Sequence, residues 1–310
     1  MKKINKLNEN NKDCPMSKPL SKHRHISFTA HYTGYIWYQM GISHPEFATK
    51  KGKMLAAVAH PVETWAEKYV GGSMRTTLKQ RHQIIDEILE KLIAQHPDLQ
   101  VLEIASGLSP RGWAFRQKYP QIDYRELDLP DMAAIKTQAL QQLQADSPQV
   151  LSADLFSEDF QNAFAVFDPS RPLVIVSEGL INYFNQAHIQ QLLKNIVNCG
   201  AAFKTLHYLT DLYPEPTQNK LANIIWSSSK LLKVISRSAF SFHFTMPEHV
   251  KHFVKAAGFK SVQILQPTYY FQNGEQITAT DATQTRTSQE DSQHLGDLVW
   301  VIYATQNAIT

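Results

Sequence analysis

From Leu99 onward, short runs rich in β-branched and apolar residues alternate with segments whose apolar residues recur every three to four positions. The runs are LQVLEIA, IDYREL, QVLSA, PLVIVSE and AAFKTLHYLT, followed later by KSVQILQ and DLVWVIYAT. Leu99 to Ala105 reads as a strand buried on both faces, and strand–helix alternation of this kind argues for parallel strands joined by helical crossovers. The expected fold is α/β, a doubly wound and mostly parallel sheet of about seven strands. Ile84, Ile85, Ile88, Leu89, Leu92 and Ile93 predict a helix that stops at His96-Pro97, and Ile189, Leu192, Leu193, Ile196 and Val197 predict another. Thr245 with Glu248 three residues on predicts a capped helix that runs from Thr245 to Gly258. The polar stretch GEQITATDATQTRTSQEDSQ reads as a long exposed connection between the last two strands.

Composition removes several function classes. With 43% hydrophobic and 19% charged residues in 310, disorder and fibre are excluded for the chain as a whole. Thirty-one Lys plus Arg against 28 Asp plus Glu leave +3, too little to imply a nucleic-acid partner. The longest apolar run, Leu298 to Ala304, falls far short of the ~20 residues of a membrane helix. MKKINKLNEN has no apolar signal core, and Cys14 and Cys199 make no disulfide framework, so the expected location is cytoplasmic. No cluster has metal-ligand spacing, and no metal is expected.

The run VLEIASGLSPRGW at 101–113 reads as a strand whose end turns sharply through Ser106, Gly107 and Leu108 into a helix. In a doubly wound sheet, ligands sit at the carboxyl ends of strands, where a glycine lets the backbone approach a nucleotide. Asp128, in YRELDLPDM, follows Gly107 by 21 residues, the spacing of the ribose partner in a dinucleotide or nucleoside site. Asp154 in LSADLF and Glu178 in VIVSEGLINYF close the next two strands. Each alone is equally well a solvated cap; together they put polar or glycine residues along one edge of the sheet. The full Gly-x-Gly-x-x-Gly turn of a dinucleotide dehydrogenase is absent.

The ordered motifs SFTAHYTGYIWY, VLEIASGLSPRGW, YRELDLPDM, LSADLF and SEGLINYF resemble the leucine carboxyl methyltransferases and their bacterial relatives, class I S-adenosylmethionine-dependent O-methyltransferases. MPEHVKHFVKAAGF and DLVWVIYAT are similar to that fold's closing helix and final antiparallel strand. The resemblance implies S-adenosylmethionine as cofactor, with Glu103 and Gly107 in the first donor loop and Asp128 on the ribose. It implies Asp154 with Leu155 around the adenine, Glu178 beside the methionine part, and an arginine near the donor carboxylate, either Arg81 or Arg75. Tyr183 stands where the family has a tyrosine at the mouth of the substrate pocket, and is the expected catalytic residue. Two positions depart from the family turn Gly-x-Gly-x-Asp-Thr-Arg: Ala105 replaces the first glycine and Ser109 the acidic residue, which leaves the role of Arg111 open. The implied plan is a disordered tail over 1–22 and one methyltransferase domain over 23–310. Within it lie an N-terminal aromatic lid at about 25–60 and a cap insertion at about 212–245.

The aromatic segment has two readings: a helix packing its rings, or a lid whose Tyr32, Tyr35 and Trp37 wall the acceptor pocket with Tyr183. In the cap, Lys230, Lys233 and Arg237 suit an anionic acceptor, and equally a solvated helix face. Methyl transfer from a sulfonium is a direct displacement, served by alignment and exclusion of water rather than by a nucleophile triad. A carboxylate acceptor is already ionised at neutral pH; a hydroxyl needs a base, for which His207 and His243 are candidates alongside their reading as packed side chains. The expected function is O-methylation of a carboxylate or hydroxyl on a small-molecule acceptor. Methylation of a protein C-terminal carboxylate and a non-catalytic nucleoside-binding scaffold are the alternatives.

Overall fold

The computed structural model describes residues 27–70, 74–215, 240–272 and 297–306. The expected tail, most of the cap with Lys230, Lys233 and Arg237, and the polar connection before the last strand lie outside the described residues. Three helices come first: α1 Ser27–Gln39, α2 Lys50–Val70 and α3 Met74–Gln95. The strands are β1 Gln100–Ile104, β2 Asp123–Asp128, β3 Leu151–Ser152, β4 Leu173–Val176, β5 Leu206–Leu212, β6 Ser261–Leu265 and β7 Trp300–Thr305. Between them run α4 Arg111–Lys118, α5 Pro130–Leu143, α6 Asp159–Asn162, α7 Gln186–Gly200, α8 Pro247–Lys255 and α9 Pro267–Gln272.

The sheet order is β3-β2-β1-β4-β5-β7-β6, with the first five strands parallel and β7 antiparallel to both β5 and β6. The expected mostly parallel sheet with a final antiparallel strand is what forms. Strand order reverses between β1 and β4, the switch point at which such sheets open a crevice at their carboxyl ends.

β1 and β4 are buried at every position because each face of the sheet is covered. Val101, Val174 and Val176 pack under Ile84, Ile85, Ile88 and Leu89 of α3. The alternate residues Leu102, Ile104, Leu173 and Ile175 pack with Ile189, Leu192, Leu193 and Ile196 of α7. Full burial of a large aliphatic is worth about 1.5–3 kcal/mol, so these two facing helices fix the register of the central strands. α7 opens on Asn185, whose side chain accepts from the His188 N–H at 2.9 Å.

Two local expectations are corrected. The late helix starts at Pro247, not Thr245, and its cap residue Met246 makes no side-chain capping bond. Pro247 holds Met246 extended (φ −135°, ψ 140°), so a helical turn cannot begin earlier, and the proline ring itself suits the first helical position. QVLSA contributes only the two residues of β3, since the Val150 N–H donates to Thr137 Oγ1 of α5 (3.0 Å) instead of to β2. The aromatic segment is helix α1, with Tyr32 and Ile36 buried against Leu55, Ala56, Ala59 and Leu78. Among the described residues no helix is long and apolar enough to cross a membrane, and no His, Cys, Asp and Glu cluster has the form of a metal site.

Candidate functional site

After Ile104 the chain enters the left-handed region twice, at Ala105 and Gly107, both with φ of 50°. Glycine takes that conformation at no steric cost; alanine there costs about 1–2 kcal/mol. The turn is held by Ser106 N donating to Leu127 O (3.1 Å) and Ser109 N to Ser106 O (3.0 Å). Helix α1 lies directly on it: a Cβ on Gly107 would stand 2.9 Å from Ala30 Cβ, and one on Gly34 would stand 2.7 Å from Leu108 Cβ. The Ser106 hydroxyl is buried without a hydrogen-bond partner among the described residues, a cost of about 1–3 kcal/mol that a bound polar ligand would relieve.

Asp128 ends β2 beside this turn. Its Oδ2 accepts from Gly107 N (2.7 Å) and its Oδ1 from Leu129 N (2.7 Å). A carboxylate has about four acceptor positions, so each oxygen keeps one for a ligand hydroxyl. Burial pushes the carboxyl up to about 6 from 3.8; the Gly107 and Leu129 bonds and Lys136 favour its charge, and Glu103 opposes it. After β3, Asp154 Oδ1 accepts from Phe156 N (3.0 Å), which turns the chain, and Leu155 is buried in the core beside Ile104 and Leu127.

The other strand ends meet in a buried ionic network. Arg81 of α3 donates from Nε to Glu178 Oε1 (2.9 Å) and from Nη1 to Asp211 Oδ2 (3.0 Å) and Tyr213 Oη (3.1 Å). Its Nη2 lies 2.9 Å from where a Cβ on Gly179 would stand, so a larger residue there would crowd it. Gly179 itself has φ of 70°, and its N–H donates to Asp211 Oδ1 (2.6 Å). Arg111, 1% exposed at the start of α4, donates to Glu103 Oε1 (3.1 Å), Glu178 Oε2 (2.6 Å) and Asp86 Oδ1 (2.5 Å). Glu103 also accepts from Tyr124 Oη (2.9 Å), and His82 Nδ1 lies 2.8 Å from both Glu178 Oε2 and Arg111 Nη2. Burial opposes charge on Glu178, yet His82, Arg111 and Arg81 hold it well below the usual carboxylate range. The acids in turn hold both guanidiniums above their ordinary value, against the same burial. For Asp211 burial outweighs Arg81, and its carboxyl is pushed up.

Arg111 therefore braces the turn through Asp86, Glu103 and Glu178, and its own N–H donates to Ser109 Oγ (3.3 Å). Of the two candidate arginines, Arg81 lies in the network, while Arg75 donates to Gln39 Oε1 (2.7 Å) on the surface. Tyr183 shares a hydrogen bond with Thr29 of α1, and its ring stands edge-on to Phe240 at 5.5 Å. Asn182 binds the backbone of Tyr213 in both directions (2.8 and 2.9 Å) and the Ser241 carbonyl (2.8 Å), fixing Phe240 between Tyr183 and Tyr213. Trp37 packs on His82 at 5.5 Å, and Tyr32 and Tyr35 pack in a cluster with Leu55, Ala56 and Ala59 of α2. His207 sits at the start of β5, the opposite edge of the sheet, where its Nδ1 meets Tyr303 Oη (2.9 Å); burial, then His96, lowers it to about 4. His243 Nε2 donates to Phe184 O (2.7 Å).

Sequence reasoning missed His82, Asp211, Tyr213 and Lys136. The signal for Asp211 was present, an acidic residue inside the apolar run of β5, since a carboxylate is rarely buried without a partner.

A curated relative, the tetracenomycin polyketide synthesis O-methyltransferase TcmP of Streptomyces glaucescens, is 28% identical over 114 residues. That stretch is 36% of this chain and 40% of TcmP, so the match spans about two fifths of that relative's length. A crystal structure of a candidate methyltransferase from Thermobifida fusca YX matches 92% of this chain and 94% of its own. Its TM-score is 0.55 at 12% identity, which shows a shared fold. The model of the family described as leucine carboxyl methyltransferase matches residues 42–197, half of the 310 residues. With the Gly107 turn, Asp128, Asp154 and Glu178 all inside that span, the chain belongs to the leucine carboxyl methyltransferase family.

Proposed function

We propose that the chain is an S-adenosylmethionine-dependent O-methyltransferase whose acceptor is a small molecule. The observation that carries the reading is the Gly107–Asp128 pair at the switch point, with a buried unpartnered Ser106 hydroxyl beside it. Asp128 accepts the two ribose hydroxyls on its remaining lone pairs, the Gly107 backbone lies along the nucleoside, and Asp154 with Leu155 borders the adenine. Arg81 Nη2, left open by Gly179, takes the donor carboxylate. Glu178 and Glu103 act one step removed: Glu178 aligns Arg81, and Glu103 holds Arg111.

When bound, the donor supplies an electrophilic methyl carbon and its own leaving group. What remains for the chain is alignment and exclusion of water, worth up to about 7–11 kcal/mol for well-oriented reactants. Helix α1 excludes water by lying on the Gly107 turn, and Tyr183, tied to Thr29 and edge-on to Phe240, orients the acceptor. Trp37 borders the site through His82, while Tyr32 and Tyr35 serve the helix packing. TcmP, an O-methyltransferase of polyketide synthesis, supports a small-molecule acceptor.

The test is calorimetric titration of the purified chain with S-adenosylmethionine and S-adenosylhomocysteine. Micromolar or tighter binding that is lost in Asp128→Ala, with native circular dichroism, is the expected result. No heat and no thermal shift with either nucleoside would refute it.

A further inference from the structure

Lys136 lies in the middle of α5 and is 0% exposed, among the most deeply buried charges described. Its Nζ stands 2.5 Å from Glu126 Oε1 of β2 and 3.2 Å from the carbonyl oxygen of Ser106. Glu126 is closed from the other side by Arg116 Nη1 at 2.9 Å, and Gly112 makes room for it: a Cβ there would fall 2.4 Å from Glu126 Cδ. Taking an ammonium and a carboxylate out of water is expensive, and an apolar pair of the same volume would often be as stable. A salt bridge alone thus does not account for a lysine at this place; its bond to Ser106 O does more. That carbonyl belongs to the residue between the two left-handed positions Ala105 and Gly107.

We infer that Lys136 is a positioning residue for the donor turn, holding Ser106 from behind so that the Ser106 hydroxyl faces the nucleoside while the Gly107 N–H keeps its bond to Asp128. The inference rests on the donor reading of that turn. Lys136 ties three pieces together: α5, strand β2 and the turn after β1. Its charge also bears on Asp128. The groups facing that carboxylate are Lys136 from α5, Glu103 from β1 and the N–H groups of Gly107 and Leu129; of these Lys136 is the one cation. Removing it leaves Asp128 harder to ionise, so the ribose acceptor is lost at a higher pH.

The experiment uses the full chain and S-adenosylhomocysteine as probe. Lys136→Met alone takes the cation from Glu126 Oε1 and leaves only Arg116 on Oε2, so the informative variant is Lys136→Met with Glu126→Gln, which buries no carboxylate there and lets the partly exposed Arg116 turn to water. Expected are a native circular dichroism spectrum and binding weaker by about tenfold or more, the loss that follows removal of a charged hydrogen-bond partner. Lys136→Met with Glu126 kept, which removes the cation but not the anion, should move the pH below which binding fails upward relative to wild type. A lower melting temperature with unchanged affinity and pH profile would assign Lys136 to stability alone and overturn the inference. Wild-type protein that binds no nucleoside at any pH would remove the donor reading, and this inference with it.

Discussion

Asp128 couples stability and donor binding to pH in opposite directions. Burial holds its carboxyl near 6 in the folded chain against an ordinary 3.8, a difference of about 3 kcal/mol at 1.36 kcal/mol for each tenfold change. Between those two values the native state keeps a proton that the unfolded state has released, so stability falls as pH rises through the interval. Above about pH 6 the ligand-free protein therefore carries the full cost of an ionised, buried Asp128. Nucleoside hydroxyls donate to the charged form, so binding favours it: affinity should fall by up to about tenfold per pH unit below 6, with a proton released on binding there. The perturbation is Asp128→Asn. It removes the ionisation cost, but its amide NH2 cannot accept, so either Gly107 N or Leu129 N loses a partner at about 1–3 kcal/mol. Net stability of the variant at neutral pH should be unchanged or up to about 2 kcal/mol higher, with binding weaker by about 1.5–3 kcal/mol. Urea unfolding at pH 5 and 7.5, with titration of S-adenosylhomocysteine in two buffers of different ionisation enthalpy, reads every quantity. Wild-type affinity that stays flat from pH 5 to 7 with the fold intact would refute the reasoning.

Arg111→Met should cost about 3–5 kcal/mol in urea unfolding, because it takes the cation from the buried Glu103 and leaves Glu178 with Arg81 and His82 only; a loss below about 1 kcal/mol would show that the network relaxes without it. Ala105 and Gly107 share a φ of 50°, yet substitution should act oppositely. Ala105→Gly relieves strain and should leave stability equal or up to about 1 kcal/mol higher, whereas Gly107→Ala drives a methyl to 2.9 Å from Ala30 and should lower both melting temperature and donor affinity. If the acceptor is a carboxylate, Tyr183→Phe should slow turnover through lost orientation, while His207→Ala, at the far edge of the sheet, stays within a few fold. Collapse of turnover in the His207 variant, with donor affinity intact, would exclude that acceptor.

The alternation of strands and helices, the turn at Gly107 and the 21-residue step to Asp128 were all legible in the chain. Each is a local pattern: period reports which residues face the core, and one glycine after a strand reports a bend. Local pattern also misled at Thr245, where the capping-box spacing was present but Pro247 forbade the earlier turn. What the tertiary structure decided is which residues become partners. Arg81 meets Glu178 across 97 positions and Asp211 across 130, and neither separation leaves a periodic trace. It set Arg81 in the buried network and Arg75 on the surface beside Gln39, put His207 at the start of β5, and packed Tyr32 and Tyr35 with α2. Burial of a charge is settled by whether an opposite charge arrives from elsewhere in the fold, a condition that depends on three-dimensional packing and so has no signature at either residue alone.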